Sequence, residues 1–250
     1  MTAVQLPTLA WGNPGADRHA LLVHGLGSDA HTMWEIGEHL ASEGWFATAV
    51  DLRGHGVAPR TTSYRIDEYA RDLLAVPRDR DWDVAIGHSI GGANLVQASA
   101  FEPGWARRLV LIDPALATTA ENRAEIRSRQ SRNHREQTVD EVAAENPHWH
   151  SQTVEAAVNA QRGASEFALI HSVDDNPDWD VLAEAKALTV PTLVFQGDPA
   201  VLARYTDEHA AAIEAANPLV TRAMIPGTGH CPHRDEPARF NAELSVWLNA

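Results

Sequence analysis

Cysteine and basic side chains are scarce in this chain of 250 residues, and each scarcity argues against a class of protein. Cys231 is the single cysteine, so no intramolecular disulfide can form and cysteine usage gives no support to a secreted protein. Only 20 Lys and Arg residues stand against 34 Asp and Glu, which gives a formal net charge of -14. Such a charge repels phosphate backbones, so we expect no nucleic-acid partner.

Long apolar runs are also lacking. No run approaches the roughly 18 residues that a membrane span needs, so we expect no membrane partner. The first residues, MTAVQLPTLAWGNPG, lack the basic start and the apolar stretch of a signal peptide. We therefore expect a cytoplasmic protein, and the sequence leaves open whether it is a monomer or a homodimer.

The chain does contain a regular alternation of short apolar runs and longer helical patterns. The apolar runs indicate strands buried on both faces, and they fall at residues 19–25, 45–56, 81–87, 107–113, 190–198 and 219–227. Segments of helical character lie between and after them, at residues 32–42, 66–76, 90–101, 206–216 and 236–248. This alternation predicts an α/β fold with a doubly wound, mostly parallel sheet.

The alternation breaks between residues 115 and 184, where no clear strand pattern occurs. This stretch begins with a segment rich in Arg and Glu and continues with an amphipathic run. We interpret it as a helical insertion that leaves the sheet after one strand and returns before the next. Residues 1–114 and 185–250 would then form the α/β core, and residues 115–184 a helical cap.

The stretch GHSIGG at residues 87–92 has the pattern Gly-x-Ser-x-Gly between a predicted strand and a predicted helix. This is the setting of a nucleophile elbow, in which a sharp turn lifts the serine hydroxyl clear of the sheet. Bulky side chains two residues to either side would collide in such a turn. The N-terminus of the following helix favours negative charge forming beside the serine. We therefore predict Ser89 as a nucleophile rather than a simple helix cap.

A serine hydroxyl needs a general base, and His230 is the predicted one. It lies in PGTGHCPHRDEP, after the last predicted strand and just before the final helix, where a loop can place it above the sheet edge. A metal site at His230, Cys231 and His233 is the alternative. We expect no metal, because no further ligand cluster has suitable spacing.

The base needs a carboxylate that fixes its tautomer. Asp198 follows the strand PTLVFQG, Asp113 follows the strand RRLVLI, and both fit the chain order serine, acid, histidine. Asp198 is the preferred candidate and Asp113 the alternative acid.

Two backbone N–H groups are the predicted oxyanion hole. The stretch HGLGS at residues 24–28 ends a strand in flexible glycines, so that the amide of Leu26 can face the site. The amide of Ile90, directly after Ser89, is the second expected donor. Loss of one such donor typically costs about 2.7–4 kcal/mol of transition-state stabilisation.

Six motifs together resemble the α/β-hydrolase superfamily, in its serine-nucleophile branch with a helical cap and esterase or lactonase activity. They occur in the family's order over nearly the whole chain: HGLGS, DLRGHG, GHSIGG, LVLIDPA, PTLVFQGDP and PGTGH. The resemblance implies the α/β-hydrolase fold and supports the roles given above to Ser89, His230, Leu26 and Ile90. The family often places its acid a few residues beyond the strand-end glycine, whereas Asp198 follows Gly197 at once, which keeps Asp113 as an alternative.

The expected function is therefore that of a cofactor-free serine hydrolase acting on a carboxylic ester or lactone of a small to medium hydrophobic substrate. Four apolar residues of the cap are the candidate substrate pocket: Trp149, Phe167, Ile170 and Trp179. Simple packing of cap on core explains these residues equally well. A carbon–carbon bond hydrolase and a cofactor-free perhydrolase share the triad, and a ligand-binding receptor on a hydrolase scaffold is the alternative outside catalysis.

Overall fold

Seven strands form one sheet in the computed structural model, which describes residues 3–78 and 81–250. In chain order these described strands are β1 (Thr8–Trp11), β2 (Arg18–Val23), β3 (Trp45–Val50), β4 (Val84–His88), β5 (Leu109–Ile112), β6 (Thr192–Gln196) and β7 (Val220–Met224). Their order across the sheet is β1-β3-β2-β4-β5-β6-β7. β1 runs antiparallel to β3, and the other neighbours are parallel. The predicted mostly parallel sheet is confirmed, with β1 as an additional edge strand.

The central strands are buried on both faces, as their continuous apolar runs predict. Every residue of β4, β5 and β6 is buried. Leu21 belongs to the core cluster on one face of the sheet and Leu22 to the cluster on the other, because successive side chains of a strand point to opposite faces. Each face therefore requires its own layer of helices.

Helices supply both layers and the segment between β5 and β6. After a 3-10 helix at Ala30–Met33, the described helices are α1 (Trp34–Ser42), α2 (Ile66–Leu74), α3 (Ile90–Phe101), α4 (Ala120–Glu136), α5 (Val139–Glu145), α6 (Ser151–Gly163), α7 (Glu166–Asp174), α8 (Leu182–Lys186), α9 (Asp207–Glu214), α10 (Pro232–Asp235) and α11 (Pro237–Leu248). The five core helices predicted from sequence correspond to α1, α2, α3, α9 and α11. Within the described residues, no helix combines the length and apolarity needed to cross a membrane.

The segment between β5 and β6 is helical and includes α4 to α8. An isolated antiparallel bridge joins Ala117 to Asp180 near the two ends of this segment. A small apolar cluster of its own, separate from the two sheet clusters, contains Val142, Val154 and Val158. The assignment of residues 115–184 as a separate cap remains a prediction.

Candidate active site

Ser89 occupies the sharp turn between β4 and α3. Its φ of 54° and ψ of -118° lie outside the regions that residues with a side chain ordinarily adopt. Such a conformation costs on the order of 1–3 kcal/mol and persists only where the surroundings enforce it. One enforcing contact is the hydrogen bond from the Ser89 amide to the carbonyl of Ile112 on β5, at 2.9 Å. The strain at Ser89 fits the elbow predicted from GHSIGG.

The glycines of this motif are explained by close backbone approach. A Cβ at Gly91 would lie 2.6 Å from the carbonyl oxygens of both Val23 and His24. A Cβ at Gly87 would lie 2.7 Å from the backbone of Gly91. These contacts are with backbone atoms, which cannot move apart without shifting the sheet or the helix. The turn therefore tolerates only glycine at these two positions.

Asp113 is the carboxylate that binds His230. The Nδ1 atom of His230 lies 2.6 Å from Oδ2 of Asp113, which is completely buried at the end of β5. The same carboxylate accepts hydrogen bonds from the backbone amides of Gly197, Arg204 and Tyr205, at 3.1, 2.8 and 3.1 Å. With Nδ1–H donating to Asp113, Nε2 of His230 is left as the proton acceptor.

The prediction that Asp198 is the partner of His230 is therefore wrong. Asp198 accepts hydrogen bonds from the amides of Ala200 and Gly227, at 2.9 and 2.8 Å. These bonds, with Gly227 first, lower the pKa of its carboxyl. Both oxygens of Asp198 thus bind loop amides, and within the described residues Asp198 makes no hydrogen bond or ion pair with His230.

The amides of Leu26 and Ile90 are both available as donors. Across the described parts of the chain, neither amide has a hydrogen-bond acceptor within the protein. Ile90 is the first residue of α3, where the helix leaves its N–H groups unpaired. Both residues line the same cavity as Ser89 and His230. The structure therefore brings together the serine, the histidine and the two amides that the sequence singled out.

His55 fixes the loop that carries Leu26, a role that sequence reasoning missed. Burial lowers the pKa of His55 to about 4, so its ring is neutral at ordinary pH. Its Nδ1 donates to the carbonyl of Arg53 at 3.0 Å, and its Nε2 accepts from the amide of Gly27 at 3.2 Å. The glycine-rich DLRGHG loop thereby holds the HGLGS loop. The signal in the sequence was a histidine in each of these two loops.

His88 supports the loop of His230 in a similar way. Burial lowers the pKa of His88 well below its usual value, and the neighbouring His230 and His233 lower it further. The neutral ring donates from Nε2 to the carbonyl of His230 at 2.9 Å. His88 is therefore a positioning residue behind the serine, with its side chain turned toward the histidine loop.

The cavity above Ser89 measures about 470 Å³ and contains two of the four predicted pocket residues. Trp149 and Trp179 line it, whereas Phe167 and Ile170 do not. Phe167 is 47% exposed and stacks on His171, with ring centroids 3.8 Å apart. The prediction was wrong for this pair because α7 buries a different face, formed by Ala168, Leu169, Ser172 and Val173.

No metal centre is evident in the residues that the structure describes. Nowhere in residues 3–78 and 81–250 do three or more His, Cys, Asp or Glu side chains come together in a way that could hold an ion. Burial raises the pKa of the Cys231 thiol to about 11, so this side chain stays protonated and is a weak nucleophile. The Cys231 thiol, although next to His230 in the chain, therefore does not compete with Ser89 as the nucleophile.

Comparison with known proteins identifies the class. A model of the alpha/beta hydrolase family matches residues 20–243, and the chain belongs to that family. The fold and the resemblance inferred from sequence are thereby confirmed, and the protein is of the hydrolase class.

Three relatives illustrate the range of chemistry in this family. The chain is 26% identical to the pimeloyl-[acyl-carrier protein] methyl ester esterase of Edwardsiella ictaluri, covering 96% of each chain. It is 28% identical to the 2-succinyl-6-hydroxy-2,4-cyclohexadiene-1-carboxylate synthase of Escherichia coli O1:K1, covering 95% of this chain and 96% of the relative. The solved enol-lactonase of Burkholderia xenovorans LB400 superposes with a TM-score of 0.81 at 17% identity, covering 98% and 96% of the two chains.

Proposed function

We propose that this protein is a serine hydrolase that cleaves a carboxylic ester or lactone through an acyl-enzyme. The observation that carries the proposal is the strained Ser89, which shares one cavity with His230 and its bonded Asp113. The relation to an esterase at 26% identity over 96% of the chain supports the same chemistry.

The first half of the reaction transfers the acyl group to Ser89. Nε2 of His230 takes the hydroxyl proton as Ser89 Oγ attacks the carbonyl carbon, and the carbonyl oxygen becomes an oxyanion. The amides of Leu26 and Ile90 donate to that oxyanion. His230 then gives its proton to the leaving alkoxide, which departs as the alcohol.

The second half hydrolyses the acyl-enzyme. His230 takes a proton from water as the water attacks the acyl carbonyl, and the same two amides hold the second oxyanion. When the intermediate collapses, His230 returns the proton to Ser89 Oγ and the carboxylic acid leaves. In a lactone the alcohol and the acid are parts of one product. Asp113 stabilises the imidazolium in both halves without taking its proton.

The cavity walls favour a compact substrate. Trp149 and Trp179 offer apolar surface beside Ser89, and the volume of about 470 Å³ accommodates a small to medium acyl group. The indole of Trp149 is fixed by a hydrogen bond from Nε1 to Asp235 at 2.7 Å, and that of Trp179 by one to the carbonyl of Ala115 at 2.7 Å. The two indole rings are therefore held in place before an ester substrate binds.

The test is replacement of Ser89 by Ala, with Ser99→Ala as the matched control. Ser99 lies farther along α3, where its hydroxyl accepts a hydrogen bond from the indole of Trp105. We expect multiple turnovers on short-chain p-nitrophenyl esters for the wild type and Ser99→Ala, and a loss of about 10⁴-fold or more for Ser89→Ala. A fluorophosphonate should label the Ser89 peptide. Undiminished turnover in folded Ser89→Ala would refute the proposal, and a single turnover would favour a receptor.

A further inference from the structure

Three arginines line the cavity above Ser89, in a chain with a formal net charge of -14. Arg129 comes from α4, Arg204 from the segment between β6 and α9, and Arg234 from α10. Each guanidinium is a strong donor of hydrogen bonds with a geometry that matches a carboxylate. The partners of each arginine within the protein therefore decide which of them are free to bind a substrate.

Arg129 is the least satisfied of the three. It is half-buried, and within the described residues its guanidinium has neither a hydrogen-bond acceptor nor an ion-pair partner. Burial lowers its pKa and the positive charge of Arg204 lowers it further, although the negative charge of Glu125 opposes the decrease. Two arginines that repel each other in a partly desolvated cavity are stabilised by a shared anion.

Among the described residues, Arg204 has one acidic partner, Glu125, and the contact is long. Its Nη2 lies 3.5 Å from Oε1 of Glu125, whose side chain is 55% exposed, whereas the side chain of Arg204 is 12% exposed. Because the carboxylate of Glu125 is largely in solvent and the distance is long, this ion pair contributes little. The guanidinium of Arg204 thus keeps donors for a second acceptor.

The backbone of Arg204 ties this pair to the reacting groups. Its amide donates to Oδ2 of Asp113 at 2.8 Å, the same oxygen that binds His230. Arg204 is therefore anchored beside the proposed acid, and both arginines line the same cavity as Ser89 and His230.

Arg234 and Asp235, which also line the cavity, have other partners. Arg234 is 5% exposed, stacks over the ring of Trp149 at 5.4 Å and donates from Nη2 to Ser28 Oγ at 3.4 Å. Asp235 accepts from the indole of Trp149 and from the amide of Gly229, at 2.7 and 2.6 Å. Asp235 therefore does not neutralise the charges of Arg129 and Arg204.

We propose that the substrate carries a free carboxylate, which Arg129 and Arg204 bind while Ser89 attacks its ester or lactone carbonyl. This rests on the proposed hydrolase function and narrows its substrate class to monoesters of dicarboxylic acids and comparable carboxylated esters. Charge-assisted hydrogen bonds of this kind contribute about 1.5–3 kcal/mol each, which corresponds to roughly 10- to 150-fold in affinity.

The test compares monomethyl glutarate with dimethyl glutarate, followed by acid release at constant pH. The two esters share the acyl chain and differ in the charge at its far end. We expect the wild type to prefer the monoester by at least about tenfold in kcat/KM, mainly through KM. Arg129→Gln and Arg204→Gln should each reduce that preference by about 10- to 100-fold. The control is Arg132→Gln, an exposed arginine on α4 outside the cavity lining, which should leave the preference unchanged.

The outcomes separate this inference from the function on which it rests. If the wild type hydrolyses both esters equally, or if the two cavity variants slow both esters to the same degree, the carboxylate site is refuted and the hydrolase stands. If neither ester is hydrolysed, titration calorimetry with glutarate tests the carboxylate site independently of catalysis. Binding that is lost in Arg129→Gln but kept in Arg132→Gln supports it, and absence of binding to the wild type overturns it.

Discussion

His230 and Asp113 are joined by a hydrogen bond of 2.6 Å, although 117 positions separate them in the chain. Asp113 directly follows β5, and His230 lies in the loop between β7 and α10. The pair also involves an unusual backbone, since Asp113 has a φ of 37°. Together with Ser89 it is one of two non-glycine residues of positive φ in the described chain. Both strained positions thus belong to the proposed reacting groups.

The first prediction concerns this pair. Asp113→Asn should lower kcat for ester hydrolysis by about 10⁴-fold, because an amide stabilises the wrong tautomer of His230 and no longer stabilises its imidazolium. The amide NH₂ also takes the place of an oxygen that accepts from backbone amides, so some loss of stability accompanies the change. Steady-state kinetics, with circular dichroism and thermal melting as checks of the fold, measure both effects.

Asp198→Asn is the matched control for that prediction. Asp198 accepts from two loop amides and does not contact His230, so we expect kcat to change by less than about threefold. Equal losses in the two variants would contradict the assignment of Asp113, and a larger loss at position 198 would restore the acid favoured by the sequence.

The sequence was sufficient for most of the sheet because its central strands are buried on both faces. Continuous apolar runs such as that of β5 leave few other interpretations. The edge strand β1 has only four residues, which alternate between exposed and half-buried positions, and it was missed. Its pairing with β3 depends on residues much later in the chain, because Ala47 lies opposite Trp11 and follows it by 36 positions.

The site was predictable to the extent that it is local in sequence. The turn at Ser89, its flanking glycines and the adjacent Ile90 amide form one motif. The choice between Asp113 and Asp198 was different, because both follow neighbouring strands, β5 and β6. What separates them is the set of hydrogen bonds that each carboxylate makes with loops distant in sequence. The selection of Trp149 over Phe167 likewise depends on how α7 is rotated against the core.

The second prediction tests the close packing of the elbow. Gly91→Ala should destabilise the protein by about 1–3 kcal/mol, because its Cβ would lie 2.6 Å from two backbone carbonyl oxygens. Gly163→Ala is the control, since a Cβ at that end of α6 meets nothing within 4 Å. It should leave stability unchanged or raise it by up to about 1 kcal/mol. Urea unfolding of the two variants measures the difference, and equal stabilities would contradict the geometry.

The third prediction distinguishes Trp149 from Phe167, two of the three aromatic side chains that the sequence assigned to the pocket. Trp149→Ala should lower kcat/KM for medium-chain esters by about tenfold, because it removes apolar cavity wall and frees the guanidinium of Arg234 from its ring. Phe167→Ala should change the same constant by less than about twofold, since Phe167 lies outside the cavity. A series of p-nitrophenyl esters of increasing chain length provides the measurement. A chain-length effect from Phe167→Ala alone would place the substrate elsewhere.

The fourth prediction concerns Glu35 on α1. Burial raises the pKa of its carboxyl from 4.5 to about 7, although Arg234 and a hydrogen bond with Thr153 oppose the increase. Between about pH 4.5 and 7, Glu35 is therefore protonated in the folded state but ionised in the unfolded state. The free energy of unfolding consequently decreases as the pH rises through that range. Above the range the ionised carboxylate carries the full penalty.

Glu35→Gln removes that penalty, because glutamine resembles the protonated carboxyl and does not ionise. We expect the free energy of unfolding to rise at pH 8 by about 1–2 kcal/mol, a value reduced for the partial contact of this side chain with solvent. At pH 5 the gain should be smaller, because most of the folded protein is then protonated at Glu35. The control is Glu38→Gln, an exposed carboxyl on the same helix, which should show little gain at either pH. Urea unfolding at pH 5 and pH 8 measures the free energy of unfolding of each variant. A gain in stability that is the same at both pH values would contradict the raised pKa of Glu35.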